Sequence, residues 1–482
     1  MARILIIDDS DSVRSTLKNL LTEMKHQVVE AEDGQIALEI LDNEQNFDLI
    51  IKGGTVATLE IIEECDIGIK DGKISALGTL TSTNCANLID AKGLHVLPGV
   101  IDSQVHFREP GNEHKEDMES GSRAAILGGV TTVFEMPNTA PPTTTEAAFN
   151  DKLDRAKNRY HCDYGFFVGA CPENIESLPL LEKMPGCSGV KIFMGSSTGS
   201  LLIPNDELLL QVLQSGVRRA AVHSEDEERL NARMDIRDSG GGVELHPIWR
   251  DSETAIRSTK RLLAIAKSTN RRVHVLHVTT REEIDLLAQA QDFATVECTP
   301  QHLTLAAPEC YERLGTYAQM NPPIRAKEHQ EGLWRGITDG IVNAIGSDHA
   351  PHTHEEKALD YPETPSGMPG VQTLLPIMLD HMNAGRLTLQ RLIDLTSAGP
   401  ARLYGLVNKG FIRTGFDADL SLVDLKAKRI ISRDWLASKC DWSPFLDKEV
   451  TGWPVTTILR GNPVVRDCKV LGSQTGEAVR FN

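Results

Sequence analysis

Apolar and polar positions alternate along the first 50 residues with two periods. Residues 3–7 (RILII) form a short apolar run that ends in Asp8-Asp9. A helical pattern follows over 11–24, a strand pattern over 26–31 and, after Asp33-Gly34, a second helical pattern over 35–43. This predicts a β-α-β-α start. From 47 the texture changes. Short strands, beginning with FDLIIKGGTV (47–56), alternate with glycine turns at Lys52-Gly53-Gly54, Asp71-Gly72-Lys73 and Lys92-Gly93, which reads as half of a small β-sandwich.

A β/α rhythm then runs for some 300 residues. Eight strand patterns lie at 99–106, 131–137, 164–170, 189–195, 219–225, 272–278, 293–299 and 343–349, separated by helical patterns such as 145–159, 253–269 and 282–290. Eight strands alternating with helices predict an α/β chain built on a (β/α)8 barrel. After about residue 405 short strands return (417–425 and 456–465). They are expected to join the strands before the barrel in one sandwich built from both flanks. The expected division is 1–46, 47–97, 98–405 and 406–482.

Composition narrows the class. With 40% hydrophobic and 24% charged residues the chain is globular, and its 482 residues can bury a large core without disulfide staples. The net charge of −18 argues against nucleic acid and anionic membranes as partners. Residues 1–50 hold four lysines and arginines against eleven acidic residues, a net −7, so the front section is set apart. The nine cysteines are odd in number, form no C-x-x-C pair and read as reduced thiols of a cytoplasmic protein. No apolar run approaches the ~20 residues of a membrane span.

The chemistry gathers at the C-terminal ends of the predicted strands, the face that carries the active site in such barrels. Gln104 and His106 end the first strand, Lys191 lies on the fourth, His223 ends the fifth, His277 the sixth and Asp348 the eighth. Each alone is more simply a core or surface residue; convergence from five strand ends is what argues for a site. Imidazoles and a carboxylate suit Zn²⁺ or a similar ion, which makes hydroxide available at neutral pH. A neutral Lys191 amine can take up CO2 as a carbamate and bridge two cations, provided its pKa is lowered. Asp348 can accept a proton and pass it to a leaving nitrogen. A second set suits an anion: Arg108 after the first strand can grip a carboxylate, with Asn138 and His352 adding donors, and Asn321-Pro322-Pro323 follows the seventh strand.

These residues sit in longer motifs. PGVIDSQVHFREPGNEHKEDMESGSRAA (98–125), FEMPNT (134–139), GVKIFMG (189–195), VHSEDE (222–227), VLHVTT (275–280), QMNPPIR (319–325), GSDHAPH (346–352) and GFDADLSLVDL (415–425) closely resemble a class I dihydroorotase of the amidohydrolase superfamily over 47–478. The resemblance implies interconversion of N-carbamoyl-aspartate and dihydroorotate. It implies a site of one or two Zn²⁺ ions at His106, Lys191 (as a carbamate), His223, His277 and Asp348, and substrate contacts at Arg108, Asn138, Asn321 and His352. It also implies a homo-oligomer. FREPG followed by HKED points to dihydroorotase over hydantoinase or allantoinase relatives, which stay open as alternatives together with an inactive, metal-poor partner of aspartate carbamoyltransferase. One position departs from the family: Asp-x-His-x-His becomes Asp102-Ser103-Gln104-Val105-His106. The metal position that would use Gln104 is expected to be the weaker.

The front segment resembles the start of a response-regulator receiver domain, with Asp8 and Asp9 as its acidic pair. Gly53 stands where the phosphoacceptor aspartate belongs, and the second half is absent. No phosphotransfer is expected from residues 1–46. Small residues mark 195–203 and 353–370 as candidate lid loops.

Overall fold

The computed structural model describes residues 2–37, 46–81, 85–197 and 200–482. At the front, β1 (Arg3–Ile7) and β2 (Gln27–Ala31) pair in parallel, joined by a helix at Asp11–Glu23. The helix predicted over 35–43 lies mostly outside the described residues. The strand that should follow, β3 (Phe47–Ala57), does not join β1; it pairs with strands of a different sheet. Gly53 sits at a bulge in β3 with φ of +68°, and its N–H donates to Asp66 Oδ1 at 2.8 Å. A receiver phosphoacceptor site is therefore not assembled there. Ile7, Val13, Leu20 and Met24 stay exposed on this small β-α-β unit.

The chain continues through β4 (Ile62–Lys70), β5 (Lys73–Gly78), β6 (Cys85–Asp90) and β7 (His95–Pro98). After the barrel come β16 (Leu420–Ile430), β17 (Glu449–Leu459), β18 (Asn462–Arg466) and β19 (Lys469–Val470). The two groups form one nine-stranded sheet, because β7 pairs in parallel with β3 and antiparallel with β16. Ile51, Ile67, Ile69 and Val96 from the first flank share a core with Leu420, Leu422 and Ile458 from the second. The two flanks of the expected sandwich are thus parts of one hydrogen-bonded sheet.

Between the flanks lie the barrel strands β8 (Val100–Val105), β9 (Val130–Glu135), β10 (Asp163–Gly169), β11 (Cys187–Phe193), β12 (Ala220–His223), β13 (Val273–Val275), β14 (Ala294–Cys298) and β15 (Ala344–Ile345), paired in parallel in that order. Nearly every residue on them is buried, as expected of a parallel sheet covered on both faces. The ring closes just beyond β15: Val105 bridges His349 in parallel, and the His106 N–H donates to the His349 carbonyl at 2.7 Å. Several of the helices that cover the barrel start on capping side chains: Thr145 before Glu146–Ala156, Asp251 before Ser252–Thr269 and Thr280 before Arg281–Leu287.

Among the described residues, the hydrogen bonds and ion pairs of 2–37 close within that segment, as Lys18 with Glu30 and Arg14 with Asp8 and Asp11 show. Removing residues 2–45 is expected to shift the thermal midpoint of the remaining chain by less than about 2 °C. A scanning-calorimetry trace that lost several times that would show the segment to be part of the enzyme's core.

Candidate active site

The strand ends deliver their side chains to one cavity. Gln104, His106, Lys191, His223, His277 and Asp348 line it together with Arg108, Asn138 and Asn321. These nine residues, expected separately from the sequence, are brought together.

His223 is oriented by a pair that the sequence reading passed over. Its Nε2 lies 2.9 Å from Glu225 Oε2, and Glu225 is gripped by Arg250, with Nη2 at 2.5 Å and Nε at 3.1 Å from the same oxygen. Burial alone would raise the Glu225 carboxyl, but Arg250 and His223 outweigh it and hold it well below its usual range. An ionised carboxylate only accepts, so His223 Nε2 carries the proton. The bare Nδ1 points at His277 Nε2, 3.1 Å away. Burial pushes both rings towards the neutral form. The signal in the sequence was the H-x-E spacing at 223–225.

A second pair faces across the seam between the first and last strands. His106 Nδ1 lies 2.8 Å from Asn138 Oδ1, so that nitrogen carries the proton and Nε2 is left bare. Burial lowers the ring's pKa to about 4, so it is uncharged at neutral pH. Its Nε2 nevertheless stands 3.2 Å from Asp348 Oδ1. For the Asp348 carboxyl, burial acts upward, but the groups that face it, Lys191 among them, hold it well below its ordinary value. A bare nitrogen and a carboxylate oxygen at that distance repel unless something positive lies between them.

Gln104 donates its amide N–H to Asp348 Oδ1 at 2.9 Å, while its buried Oε1 has no hydrogen-bond partner. Lys191 is buried with its Nζ 4.6 Å from the centre of the Phe193 ring. Burial lowers its pKa to about 7, against the opposing pull of Asp348 and Glu297. A good part of the amine is therefore neutral and nucleophilic near pH 7. Bare imidazole nitrogens, a carboxylate, an orphaned amide oxygen and a neutral amine, all facing one cavity, fit a divalent cation with nitrogen and oxygen ligands.

The anion side is built differently. Arg108 is 5% exposed, holds φ of +63° and donates Nε to the Pro351 carbonyl at 3.1 Å. Among the described residues it has no carboxylate within ion-pair distance. Asn321 accepts from His246 Nε2 through Oδ1 at 3.0 Å, which leaves its NH2 group for the cavity. His352 is fully buried and not on the wall. Its ring stands behind Arg108, 3.2 Å from Nη2, with Nε2 donating to the Ser366 carbonyl at 3.0 Å and Nδ1 facing Lys115 Nζ at 3.2 Å.

Of the two candidate lid loops, 195–203 includes residues 198–199, outside the described set. The other, 353–370, is a wall: Ser366 and Gly367 line the cavity, and a Cβ on Gly367 would meet the Ala350 carbonyl at 2.3 Å.

Fold and site together define a barrel hydrolase of the metal-assisted kind. The chain belongs to the amidohydrolase family, whose model matches residues 95–464. It is 37% identical over 407 residues to a dihydroorotase of Halobacterium salinarum, covering 83% of this chain and 93% of that one. It is 34% identical to an L-hydantoinase of Paenarthrobacter aurescens, over 89% and 96% of the two chains. Among solved structures, the L-hydantoinase of Arthrobacter aurescens superposes with a TM-score of 0.86 at 32% identity, covering 90% of this chain and all of that one.

Two outcomes test the metal reading of the cavity. Glu225→Gln frees the His223 tautomer and is expected to weaken divalent-metal affinity by about 10- to 100-fold in a chelator competition. Gln104→His adds an imidazole at the seam and is expected to raise the metal retained through gel filtration, measured by atomic emission. Unchanged affinity in the first variant and unchanged content in the second would remove these side chains from the metal's surroundings.

Proposed function

We propose that the chain is a dihydroorotase, hydrolysing the ring amide of dihydroorotate reversibly to N-carbamoyl-aspartate, as pyrimidine biosynthesis requires. The observation that carries this reading is Arg108: a buried guanidinium on the cavity wall that, among the described residues, has no carboxylate within ion-pair distance. A buried charge without a partner is costly, and a substrate carboxylate removes that cost. Dihydroorotate brings one carboxylate; the hydantoin and allantoin rings bring none. The dihydroorotases among the relatives support the same choice.

His106, His223, His277 and Asp348 would hold the cation, with Lys191 as a carbamate between two positions and Gln104 Oε1 at the weaker one. When bound, zinc lowers the pKa of a water to about 7 and polarises the amide carbonyl. The chain's own residues do the rest. Arg108 pairs with the substrate carboxylate in bidentate fashion, and the Asn321 NH2 adds a donor. Asp348, kept ionised, takes the proton released as the ring carbon is attacked and hands it to the ring nitrogen as the C–N bond breaks. Glu225 and Arg250 keep His223 in the tautomer whose Nδ1 faces the cavity.

Gln104 favours one further reading. With an amide where an imidazole is usual, the chain would hold metal weakly and serve mainly as a structural partner of aspartate carbamoyltransferase.

A zinc-loaded sample assayed on dihydroorotate, hydantoin and allantoin separates these readings. Dihydroorotate is expected to be opened fastest, and Arg108→Met is expected to lower its kcat/KM by about 100-fold, the loss of one charge-assisted contact. Opening of hydantoin or allantoin without dihydroorotate would overturn the proposal. No retained metal and no turnover, with co-purification of the transcarbamoylase, would favour the partner reading.

A further inference from the structure

The wall that closes the anion side of the cavity contains a second buried cation. Lys357 ends a short helix at His354–Lys357, and its side chain is fully buried. Its Nζ donates to three backbone carbonyls: Pro365 at 2.8 Å, Gln319 at 3.3 Å and Gly367 at 3.3 Å. Among the described residues no carboxylate lies within ion-pair distance. An ammonium offers three N–H groups and no acceptor, so three carbonyls use it completely. A neutral amine would turn its lone pair towards one of them. Burial acts to lower this lysine's pKa to about 7, with Glu356 opposing; the carbonyl cradle suits the charged form.

The three carbonyls belong to two loops that shape the cavity. Gln319 precedes Asn321 by two residues, and Pro365 and Gly367 flank Ser366. The loops are further tied by the Gln319 side chain, whose Nε2 lies 3.0 Å from both the Thr364 carbonyl and Ser366 Oγ, and by the Gly367 N–H to the Gln319 carbonyl at 2.9 Å. Asn321, Ser366 and Gly367 all line the cavity. Through the Ser366 carbonyl the same loop holds His352, which backs Arg108.

We propose that Lys357 is a positioning residue for substrate binding: its ammonium pins the Ser366–Gly367 loop to the Asn321 loop and so fixes the wall against which the substrate anion is held. This rests on the reading of the cavity as a cyclic-amide site. Lys357 touches no ligand-type residue of the metal side, so its removal affects binding rather than the chemical step.

The test compares wild type, Lys357→Met and Lys357→Ala. In Lys357→Met, KM for dihydroorotate is expected to rise about tenfold or more while kcat and metal content stay within about threefold, the signature of lost binding contacts. Adding ammonium or methylamine to Lys357→Ala is expected to restore part of the KM, because a small cation can re-occupy the cradle; a residue that merely fills space would show no such rescue. Hydrogen exchange supplies a reading that needs no substrate. The Gly367 amide is expected to be among the slow ones in wild type and to exchange at least about tenfold faster in either variant. Unchanged KM and exchange in the variants, a fall in kcat with loss of metal, or a fast Gly367 amide in wild type would each overturn the proposal. If wild type opens no cyclic amide, the proposed function fails while the exchange measurements still judge Lys357. If neither variant folds, the wild-type exchange alone decides.

Discussion

The site depends on the seam where the barrel closes. The last strand is only two residues long, and the ring is completed beyond it by the His106 N–H to the His349 carbonyl. That contact, with the Val105–His349 bridge and the Ser347 N–H to Asp102 Oδ1, sets the separation of His106 and Asp348. Their polar atoms then stand 3.2 Å apart with no proton of their own to share. On the opposite side of the cavity, His223 Nδ1 and His277 Nε2 meet at 3.1 Å. A packed barrel interior tolerates such facing acceptors only where a cation or a proton completes them, so the geometry of closure and the chemistry of the site are one constraint. The buried support on the outside of each ligand, Asn138 behind His106 and Glu225 with Arg250 behind His223, decides which nitrogen of each ring is left bare.

Most of this was legible because the sequence signals and the physical causes coincide. A strand buried on both faces must be apolar throughout, so all eight barrel strands stood out within a few residues of their observed limits. Ligand-type residues are out of place at the ends of such strands and were visible for that reason. What escaped were residues whose role exists only through a tertiary contact. Glu225 lies among acidic neighbours and gains its meaning from Arg250, a residue 25 positions away. His352 looked like a substrate contact because its motif continues from Asp348, yet the turn after Pro351 carries it behind Arg108. Lys357, in a run of charged residues, resembles a solvated lysine, and only the folding of 353–370 back onto Gln319 buries it. The expected two-layer sandwich was also resolved only by register: β7, four residues long, pairs on both sides and makes the two flanks one sheet.

The front segment shows the reverse case, a strong local pattern that the fold does not complete. β1, the following helix and β2 form as their periodicity predicts. The third strand is claimed by other partners, since β3 finds an apolar neighbour on each side in β4 and β7. Local propensity decides which elements form; competition for strand edges decides which sheet they join.

Charge follows the same division between the whole and the site. A chain of net −18 would seem a poor receptor for an anion. Yet much of its negative charge is paired or screened at the surface, where charges more than about 10 Å apart scarcely act on one another in salt. Inside the cavity the balance is local. Arg108 has lost its water and found only carbonyl and imidazole neighbours, and burial already lowers its pKa to about 10. It remains charged at any physiological pH, so the cost of its burial is carried by the fold until an anion is bound. Lys357, behind the same wall, is held by three carbonyls, with its Nζ 5.9 Å from the centre of the Trp442 ring. Among the described residues neither of these two buried cations has a carboxylate within ion-pair distance, although Glu356 lies near enough to act on both. The acidity of the chain as a whole then bears on its solubility and not on this local balance.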